Sequence, residues 1–500
     1  MKQLRLPSLR TDGLTLILGL GETGVAAAKW CAAQGATIRV ADTRAENGSA
    51  QTLVAAYPQQ VQLVLGDAAL DAAVLEGVHT IVVSPGLSPL QDGVAELLSI
   101  AAERQIRVLN EIELFAQALA DLKATRNYQP MVFAVTGTNG KTTVTALVRH
   151  MLEFSGLTAL AAGNISPAAI QALQSAVEAE QLPDAWVIEL SSFQLHYLQA
   201  LPANAACVLN ISQDHLDWHG SLQAYQQAKA RIFEQAQVKV VNRDDSSTLT
   251  MVADVSTTDV RSFGLSAPAL QGDLGIELEH GVQWLAVAES EADGVLAEGA
   301  RQAAPIKRLM PVDALRIRGQ HNVANALAAL ALCRSVGLEW GPLLHALRDY
   351  AGEAHRAEYV RAVRGVTFVN DSKGTNVGAT VAALNGLDQP VVLIAGGLGK
   401  GQDFQPLVEA VSRANTVAVV LIGASASELH QLLMPTAIPL VMAKDMAEAV
   451  HLAFDHAKEG DLVLLSPACA SMDMFDSYVH RGNVFVSEVA ELALENGEFA

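Results

Sequence analysis

Cysteine is scarce, and its four occurrences are scattered. Cys31, Cys207, Cys333 and Cys469 form no C-x-x-C pair and have no histidine pair nearby. That excludes a disulfide scaffold and a zinc site, and it reads as buried thiols in a reducing compartment. Positive charge is also short, with 33 Lys and Arg against 53 Asp and Glu for a net charge of −20. Such a balance disfavours a nucleic-acid backbone or an anionic membrane as partner. Anionic small molecules stay open wherever basic side chains gather in one cleft. No apolar run approaches the ~20 residues of a membrane span. Residues 14–20 are too few for the apolar centre of a signal peptide, and they end at Gly21-Glu22. A cytoplasmic chain is expected, and we expect a monomer. Internal repeats and low-complexity tracts are missing as well. Half the residues are hydrophobic and only 17% are charged, so a 500-residue chain divides into three domains, each able to bury its own core.

What is present centres on residues 131–149, MVFAVTGTNGKTTVTALVR. Five mostly apolar residues run into Thr136-Gly137-Thr138-Asn139-Gly140-Lys141-Thr142-Thr143, after which Val144, Leu147 and Val148 recur at helical spacing. Strand, glycine turn and helix in that order give a phosphate loop its context. The glycines let backbone N–H groups point at an anion, and the helix start adds its positive end. Lys141 is placed to reach the β- and γ-phosphates, and the Thr142 hydroxyl to hold Mg²⁺. Val135 stands where the first glycine of the full consensus belongs, so the bland reading is a glycine turn with a surface lysine.

Upstream, 14–19 reads as a buried strand, 23–34 as a helix and 37–42 as a second strand. Short strands follow at 62–66 and 79–84, with a helix over 93–104. An amphipathic stretch at 110–121 precedes a polar connector at 123–130. Downstream, strands are expected at 186–190, 206–211 and 238–242. The stretch 246–311 fits small antiparallel strands with a polar insertion at 288–304. A helix covers 320–337, and beyond a boundary near Gly352 strands recur at 366–371, 391–396, 416–423 and 461–466. This alternation predicts helix-flanked parallel sheets.

Several residues carry chemistry. Gly19-Leu20-Gly21-Glu22-Thr23-Gly24 is a full G-x-G-x-x-G after a strand, with Asp42 at the end of the next one. Alone it suggests a dinucleotide cofactor, yet it requires only an anion or a sugar at a helix start. Arg44 suits a more anionic or uracil-bearing ligand, and a purely structural turn is the third reading. Glu189 closes the strand WVIEL, where it meets Mg²⁺ or stands as a solvated acid. Asp214-His215-Leu216-Asp217 follows another apolar strand, so His215 is a metal ligand, an orienting group or a structural histidine. Lys229, on a helix over 222–235, reads by composition as a solvated surface lysine. Asn322 is most simply a helix cap, while Asn322 and Asn325 on one face could also hold an adenine or a ribose. Three polar loops, at 370–376, 395–400 and 466–471, leave the carboxyl ends of apolar strands, the side on which open α/β sheets bind ligands.

Taken in order, GTNGKTT, IELSSFQL, DHLDWH, YQQAKARIFE, GQHNVANALAALAL, NDSKGTN and SPACAS resemble the Mur ligase family from about residue 16 to about residue 485. The resemblance implies an N-terminal Rossmann-like domain (1–109) that binds the UDP-substrate and a central P-loop ATPase-type domain (110–352). The central domain has a mostly parallel sheet and a small antiparallel one. A C-terminal Rossmann-like domain (353–500) takes the amino acid. Gly21, Thr23, Asp42, Thr43, Arg44, Ser84, Asn164 and His215 would face the UDP-substrate. Gly137, Thr138, Asn139, Gly140, Lys141, Thr142 and Thr143 would hold ATP phosphates. Asn322 and Asn325 would contact adenine, and His355, Arg356 and Asp371 the nucleotide. Lys373, Thr375, Lys400, Ser471 and Tyr478 would cradle the amino acid. Thr142, Glu189, His215 and a carbamylated Lys229 would bind two Mg²⁺ ions, with Lys141, Glu189, His215 and Lys229 catalytic.

Within the family the pattern is most similar to the members that add D-glutamate to UDP-N-acetylmuramoyl-L-alanine. No D-N-P-R-like motif of the diaminopimelate-adding members occurs, and GTNGK lacks the histidine typical of the L-alanine-adding ones. Four departures stand out: Leu398 where an acid is common, Glu353-Ala354 where Leu-Pro is usual, Ala357 where a larger apolar residue is usual, and Tyr478 where phenylalanine is frequent. A nicotinamide oxidoreductase and an ATP-binding scaffold without turnover are the readings from other classes. The first leaves Lys141 unexplained, the second the lysines at 373 and 400.

Overall fold

The structure, a computed structural model, describes residues 13–253, 255, 259–290, 301–385, 387, 389–399, 402–413 and 415–498. Lys400 and most of the 288–304 insertion lie outside the described residues. The chain separates into two compact units: Met1–Met310 with Leu327–Leu347, and Pro311–Ala326 with Arg348–Ala500.

In the first unit, β1 (Leu14–Leu18), β2 (Thr37–Asp42), β3 (Val61–Leu65), β4 (Val78–Val83) and β5 (Arg107–Leu109) form a sheet in the order β3-β2-β1-β4-β5. Every pairing is parallel. The order reverses direction between β1 and β4, so the glycine turn after β1 opens into the crevice where such sheets bind ligands. Five alanines in the Glu22–Ala33 helix let it lie close to its neighbours, and Ala26, Ala27, Ala28, Trp30 and Cys31 are buried there.

The second sheet runs β14-β13-β12-β11-β10-β9-β6-β8-β7. Its parallel part holds β6 (Met131–Thr136), β7 (Ala159–Gly163), β8 (Ala185–Glu189), β9 (Ala205–Val208), β10 (Val238–Asn242) and β11 (Val260–Phe263). Beyond these come β12 (Leu274–Glu279), β13 (Val282–Ala288) and β14 (Ile306–Pro311). β12 and β13 pair antiparallel, so the antiparallel strands extend the parallel sheet rather than forming a separate one. β6 sits between β8 and β9 and is buried along nearly its whole length, as a central parallel strand must be. One apolar core runs continuously from Ile17 and Ala27 through Ile112 and Phe115 to Ala162, Ile170 and Trp186, joining the first two sheets.

The helix Glu111–Arg126 crosses that core. It corrects the expected polar connector, because residues 123–126 are helical. Lys123 and Arg126 lie in its last turn, where cations suit the helix dipole. Asn127 closes it in the left-handed conformation.

The second unit carries β15 (Glu358–Val363), β16 (Val366–Asn370), β17 (Val391–Gly396), β18 (Thr416–Ile422), β19 (Leu440–Met442) and β20 (Leu462–Leu465). Their order is β15-β16-β20-β17-β18-β19. Only β15 is antiparallel, and a separate core covers each face. All four cysteines are buried and free. Among the described residues no helix is long and apolar enough to cross a membrane.

Candidate active site

The glycine turn after β6 is flanked on both sides by neighbouring strand ends. Thr138 N–H donates to the Asn210 carbonyl at 2.9 Å, and Asn139 N–H to the Asn210 side chain at 2.8 Å. Both fix the loop to the end of β9. Gly137 adopts φ +155°, and a Cβ there would lie 2.9 Å from the Leu209 side chain, so this approach admits only glycine. The Lys141–Phe154 helix starts directly after it. Lys141 curls over the loop, its ammonium donating to the Gly137 and Thr138 carbonyls at 3.0 and 2.8 Å. Thr143 is buried beneath.

On the other side, the Thr142 hydroxyl donates to Glu189 Oε2 at 2.7 Å, while Asn164 Nδ2 donates to Glu189 Oε1 at 2.9 Å. Glu189 is 2% exposed, so the solvated-acid reading is excluded. Asn164 therefore meets Glu189 directly, a contact that the sequence reading did not anticipate.

Lys229 is not on the surface either, being 1% exposed. Its ammonium donates to Thr136 Oγ1 and the Gly137 carbonyl at 3.2 and 2.9 Å and stands 4.7 Å from the Tyr225 ring centroid. Burial, reinforced by the charge of Lys141, holds its pKa well below the ordinary lysine value. Among the described residues no carboxylate forms an ion pair with it. Tyr225, a residue that sequence reasoning missed, shares a 2.9 Å hydrogen bond with Thr138 Oγ1. Its signal was the helical spacing of Tyr225 and Lys229.

His215 adopts φ +54° and precedes the short helix Leu216–His219. Its Nε2 lies 3.5 Å from Asp214 Oδ2, and its ring meets Phe193 edge-on at 4.5 Å. Burial lowers its pKa, with Asp214 opposing and Lys141 and Lys229 adding to the shift. The imidazole is thus biased toward the neutral form, which can ligate a metal.

The glycine turn after β1 lines a cleft of about 440 Å³, together with Gly21, Thr23, Asp42, Thr43, Arg44 and Ser84. A Cβ on Gly24 would fall 1.9 Å from the Gly19 carbonyl, so the turn cannot close with a larger residue. Asp42 Oδ2 accepts the Leu20 N–H at 2.7 Å, and Arg44 bonds both carboxylate oxygens at 2.8 Å. Those contacts, the Arg44 bonds first, pull its pKa down to about 2. With its oxygens engaged this way, Asp42 fixes the turn to β2 rather than standing open for a ribose, the arrangement a nicotinamide dinucleotide requires. Ser84 Oγ donates to the Gly19 carbonyl at 2.8 Å.

In the second unit the three polar loops leave the adjacent strands β16, β20 and β17, and they interlock. Ser466 Oγ donates to Asp371 Oδ2 at 2.7 Å, and Leu398 pairs with Ala470. Burial raises the Asp371 pKa to about 6, against the bonds from Ser466 and Ala357. His355 is buried, with Nδ1 2.9 Å from Asn370 Nδ2. Arg356 lies between it and Ala357, whose N–H reaches Asp371 Oδ1 at 3.2 Å. The Lys373 ammonium lies 3.8 Å from the Tyr478 ring centroid, Thr375 N–H donates to the Lys373 carbonyl, and Ser471 is buried nearby in sequence. Arg481 was missed: 1% exposed, it donates to Ser372 Oγ, the Ser372 carbonyl and the Cys469 carbonyl. One helical turn separates it from Tyr478, the only hint the sequence offered.

Asn322 corrects the capping reading. It is the third residue of the Gln320–Ser335 helix, and its Nδ2 donates to the Arg318 carbonyl instead of accepting a backbone N–H. Asn325 Nδ2 reaches Asn322 Oδ1 at 3.2 Å, so the two carboxamides form one buried pair.

A phosphate loop on a parallel sheet, a buried strand-end acid bonded to its threonine, and a separate glycine-turn cleft define a multidomain P-loop nucleotide-binding protein. Three family models match in succession: the Mur ligase MurD-like N-terminal domain over 14–109, the Mur ligase middle domain over 135–333 and the Mur ligase glutamate ligase domain over 355–469. The UDP-N-acetylmuramoylalanine--D-glutamate ligase of Bordetella avium is 58% identical over 97% of this chain and 97% of its own. The protein of that name from Bordetella parapertussis is 57% identical over 97% and 98%. Among solved structures, the UDP-N-acetylmuramate-alanine ligase of Thermotoga maritima shares the fold at a TM-score of 0.54 and 19% identity, covering 96% of this chain and 99% of that one. The chain belongs to the Mur ligase family, which consists of ATP-dependent, amide-bond-forming ligases.

Proposed function

We propose that this chain joins D-glutamate to UDP-N-acetylmuramoyl-L-alanine through an acyl phosphate, as a step of cytoplasmic peptidoglycan precursor synthesis. Likeness to D-glutamate ligases along almost the full length of both chains carries the choice of substrates. The substrate's alanyl carboxylate attacks the γ-phosphorus of ATP, releasing ADP and leaving an acyl phosphate. The amine of D-glutamate then attacks the acyl carbon, and inorganic phosphate leaves with the C–O bond electrons.

In this reading the first domain (1–109) holds the UDP-substrate: Asp42, Thr43 and Arg44 at uracil, with Gly21, Thr23 and Ser84 near the pyrophosphate. Asn164 and His215 face its reacting end. Residues 137–143 of the central domain (110–352) hold the ATP phosphates, and the Lys141 ammonium offsets charge on them as the phosphoryl group moves. Asn322 and Asn325 take the adenine, and His355, Arg356 and Asp371 take the nucleotide from the third domain (353–500). There Lys373, Thr375, Lys400, Ser471 and Tyr478 bind D-glutamate. Excluding water protects the acyl phosphate from hydrolysis. The active species is a monomer.

The donor set at the phosphate loop fits Mg²⁺, which prefers oxygen ligands. Glu189 is a buried acid whose two oxygens meet, among the described residues, only Thr142 and Asn164, and His215 is held toward its neutral form. A cationic Lys229 does not fit, but a carbamate does. The neutral amine attacks CO₂, the proton leaves to water, and the side chain becomes an anion with two oxygens. Thr142, Glu189, His215 and carbamylated Lys229 would hold two ions, whose chemistry is to neutralise phosphate charge.

The test is phosphate release with UDP-N-acetylmuramoyl-L-alanine, ATP and Mg²⁺ against a panel of amino acids. Turnover is expected only with D-glutamate. Equal rates with L-glutamate or L-lysine overturn the substrate choice.

A further inference from the structure

The helix Glu111–Arg126 buries three polar side chains at its start, Asn110, Glu111 and Glu113, where apolar residues are the rule. Each grips the backbone of a different segment. Asn110 Oδ1 accepts the Glu113 N–H at 3.0 Å and caps the helix, while its Nδ2 donates to the Gln194 carbonyl at 2.5 Å. Glu111 Oε1 accepts the Ile170 N–H at 2.5 Å. That N–H opens the Ala169–Glu178 helix, whose own N-cap, Ala168, has no side-chain acceptor. Glu111 is therefore a cap supplied from another helix. Glu113 Oε2 accepts the N–H groups of Gln199 and Ala200, both at 3.0 Å.

The first two of these segments lead straight to the phosphate site. The segment anchored at Ile170 begins with Asn164, which holds Glu189 twice, by its N–H to the Glu189 carbonyl at 2.8 Å and by its side chain at 2.9 Å. Gln194 closes a capping box with Ser191, two residues beyond Glu189. We infer that the first turn of this helix is a positioning clamp, in which Asn110 and Glu111 fix where Asn164 and Glu189 stand beside Thr142. This rests on the metal role proposed for Glu189. Neither residue touches the site, so both act through the backbone they hold. Glu111 Oε2 is buried without a hydrogen-bond partner among the described residues, so the single acceptor Oε1 does the gripping and glutamine retains it.

The experiment compares Glu111→Ala and Glu111→Gln with the wild type by two readouts other than turnover. One is amide hydrogen exchange over residues 164–171 in the ligand-free protein. The other is Mn²⁺ affinity, by electron paramagnetic resonance, with a non-hydrolysable ATP analogue. In a cooperatively folded Glu111→Ala, exchange should speed up and Mn²⁺ affinity fall, each by about tenfold, as expected for one orphaned buried N–H. Glu111→Gln should restore both. Wild-type values in the alanine variant, or a lowered melting temperature with unchanged Mn²⁺ affinity, overturn the clamp, and so does a glutamine variant as impaired as alanine. If Glu111→Ala does not fold, Asn110→Asp keeps the cap and replaces the donor to Gln194 with an acceptor. Faster exchange over 190–195 with weaker Mn²⁺ binding then supports the clamp, and wild-type values overturn it. Should wild-type protein itself bind no Mn²⁺ with the analogue, the metal role of Glu189 fails, and the exchange readout alone decides the clamp.

Discussion

Lys229, flanked by two alanines on a short helix, has lost the water that an ordinary helix-surface lysine keeps. Tyr225, one helical turn away, covers it, but its hydrogen bonds to Thr136 and Gly137 span 93 and 92 positions of the chain, invisible to local composition. That is why the residues alone read it as a solvated lysine, a reading its burial overturns. If Lys229 acts as a carbamate, Lys229→Ala should lose nearly all phosphate release, and formate or acetate should restore part of it. Lys229→Arg should stay inactive. An active arginine variant, with no rescue of alanine by acids, would leave Lys229 an ordinary cation. Glu111 gives a second prediction, on stability. Burial raises its pKa from 4.5 to about 7, with the carboxyl of Glu22 adding to the shift. Between those values the folded chain binds a proton that the unfolded chain has lost, so stability falls as pH rises from ~5 to ~7, by up to roughly 3 kcal/mol. Glutamine carries no such proton. The urea midpoint of Glu111→Gln should match wild type near pH 4.5 and exceed it at pH 8, and equal midpoints at both would contradict the buried-acid account.

Among the elements, the strand–turn–helix of the phosphate loop was legible because three local signals agree there: an apolar β-prone run, paired glycines and helical periodicity. Where signals conflict, legibility ended. Residues 123–126 are polar enough to pass for a connector, but they form the exposed last turn of a helix whose other face is core. β15 was missed because its exposed edge position leaves no strong apolar alternation. Arg481 was missed because two of its three partners are backbone carbonyls, which leave no mark on side-chain identity, and the third, the Ser372 hydroxyl, lies 109 positions away. Gly137 offers a test at this scale. Alanine there must take φ +155° and press on Leu209, a strain of ~1–3 kcal/mol that the loop relieves by shifting. Gly137→Ala should raise the KM for ATP by roughly ten- to hundredfold, with helix content by circular dichroism unchanged. An unaltered KM would mean that the loop backbone does not cradle the phosphates.

Across the whole molecule, the order of motifs carried more information than any one of them. The G-x-G-x-x-G turn alone pointed toward a nicotinamide cofactor, and the structure shows its Asp42 engaged by Arg44 and the Leu20 N–H. Glycine cleft and phosphate loop belong to different sheets, so their ligands should be separable by mutation. Lys141→Ala should cut phosphate release by at least ~100-fold while calorimetry finds UDP-substrate affinity unchanged; a joint collapse would contradict the domain partition proposed above. Finally, the four cysteines are all buried. Burial pushes the thiols of Cys31 and Cys469 up to about 12, and those of Cys207 and Cys333 upward as well. Thiolate is the reactive species, so the folded native protein should be nearly inert to maleimide dyes. A cysteine introduced at Glu153 and another at Glu409, both surface positions, would then take a donor and an acceptor fluorophore without prior removal of any native thiol. Energy transfer between the two compact units, recorded as ATP and substrates are added in turn, becomes a direct measurement on the otherwise unmodified enzyme.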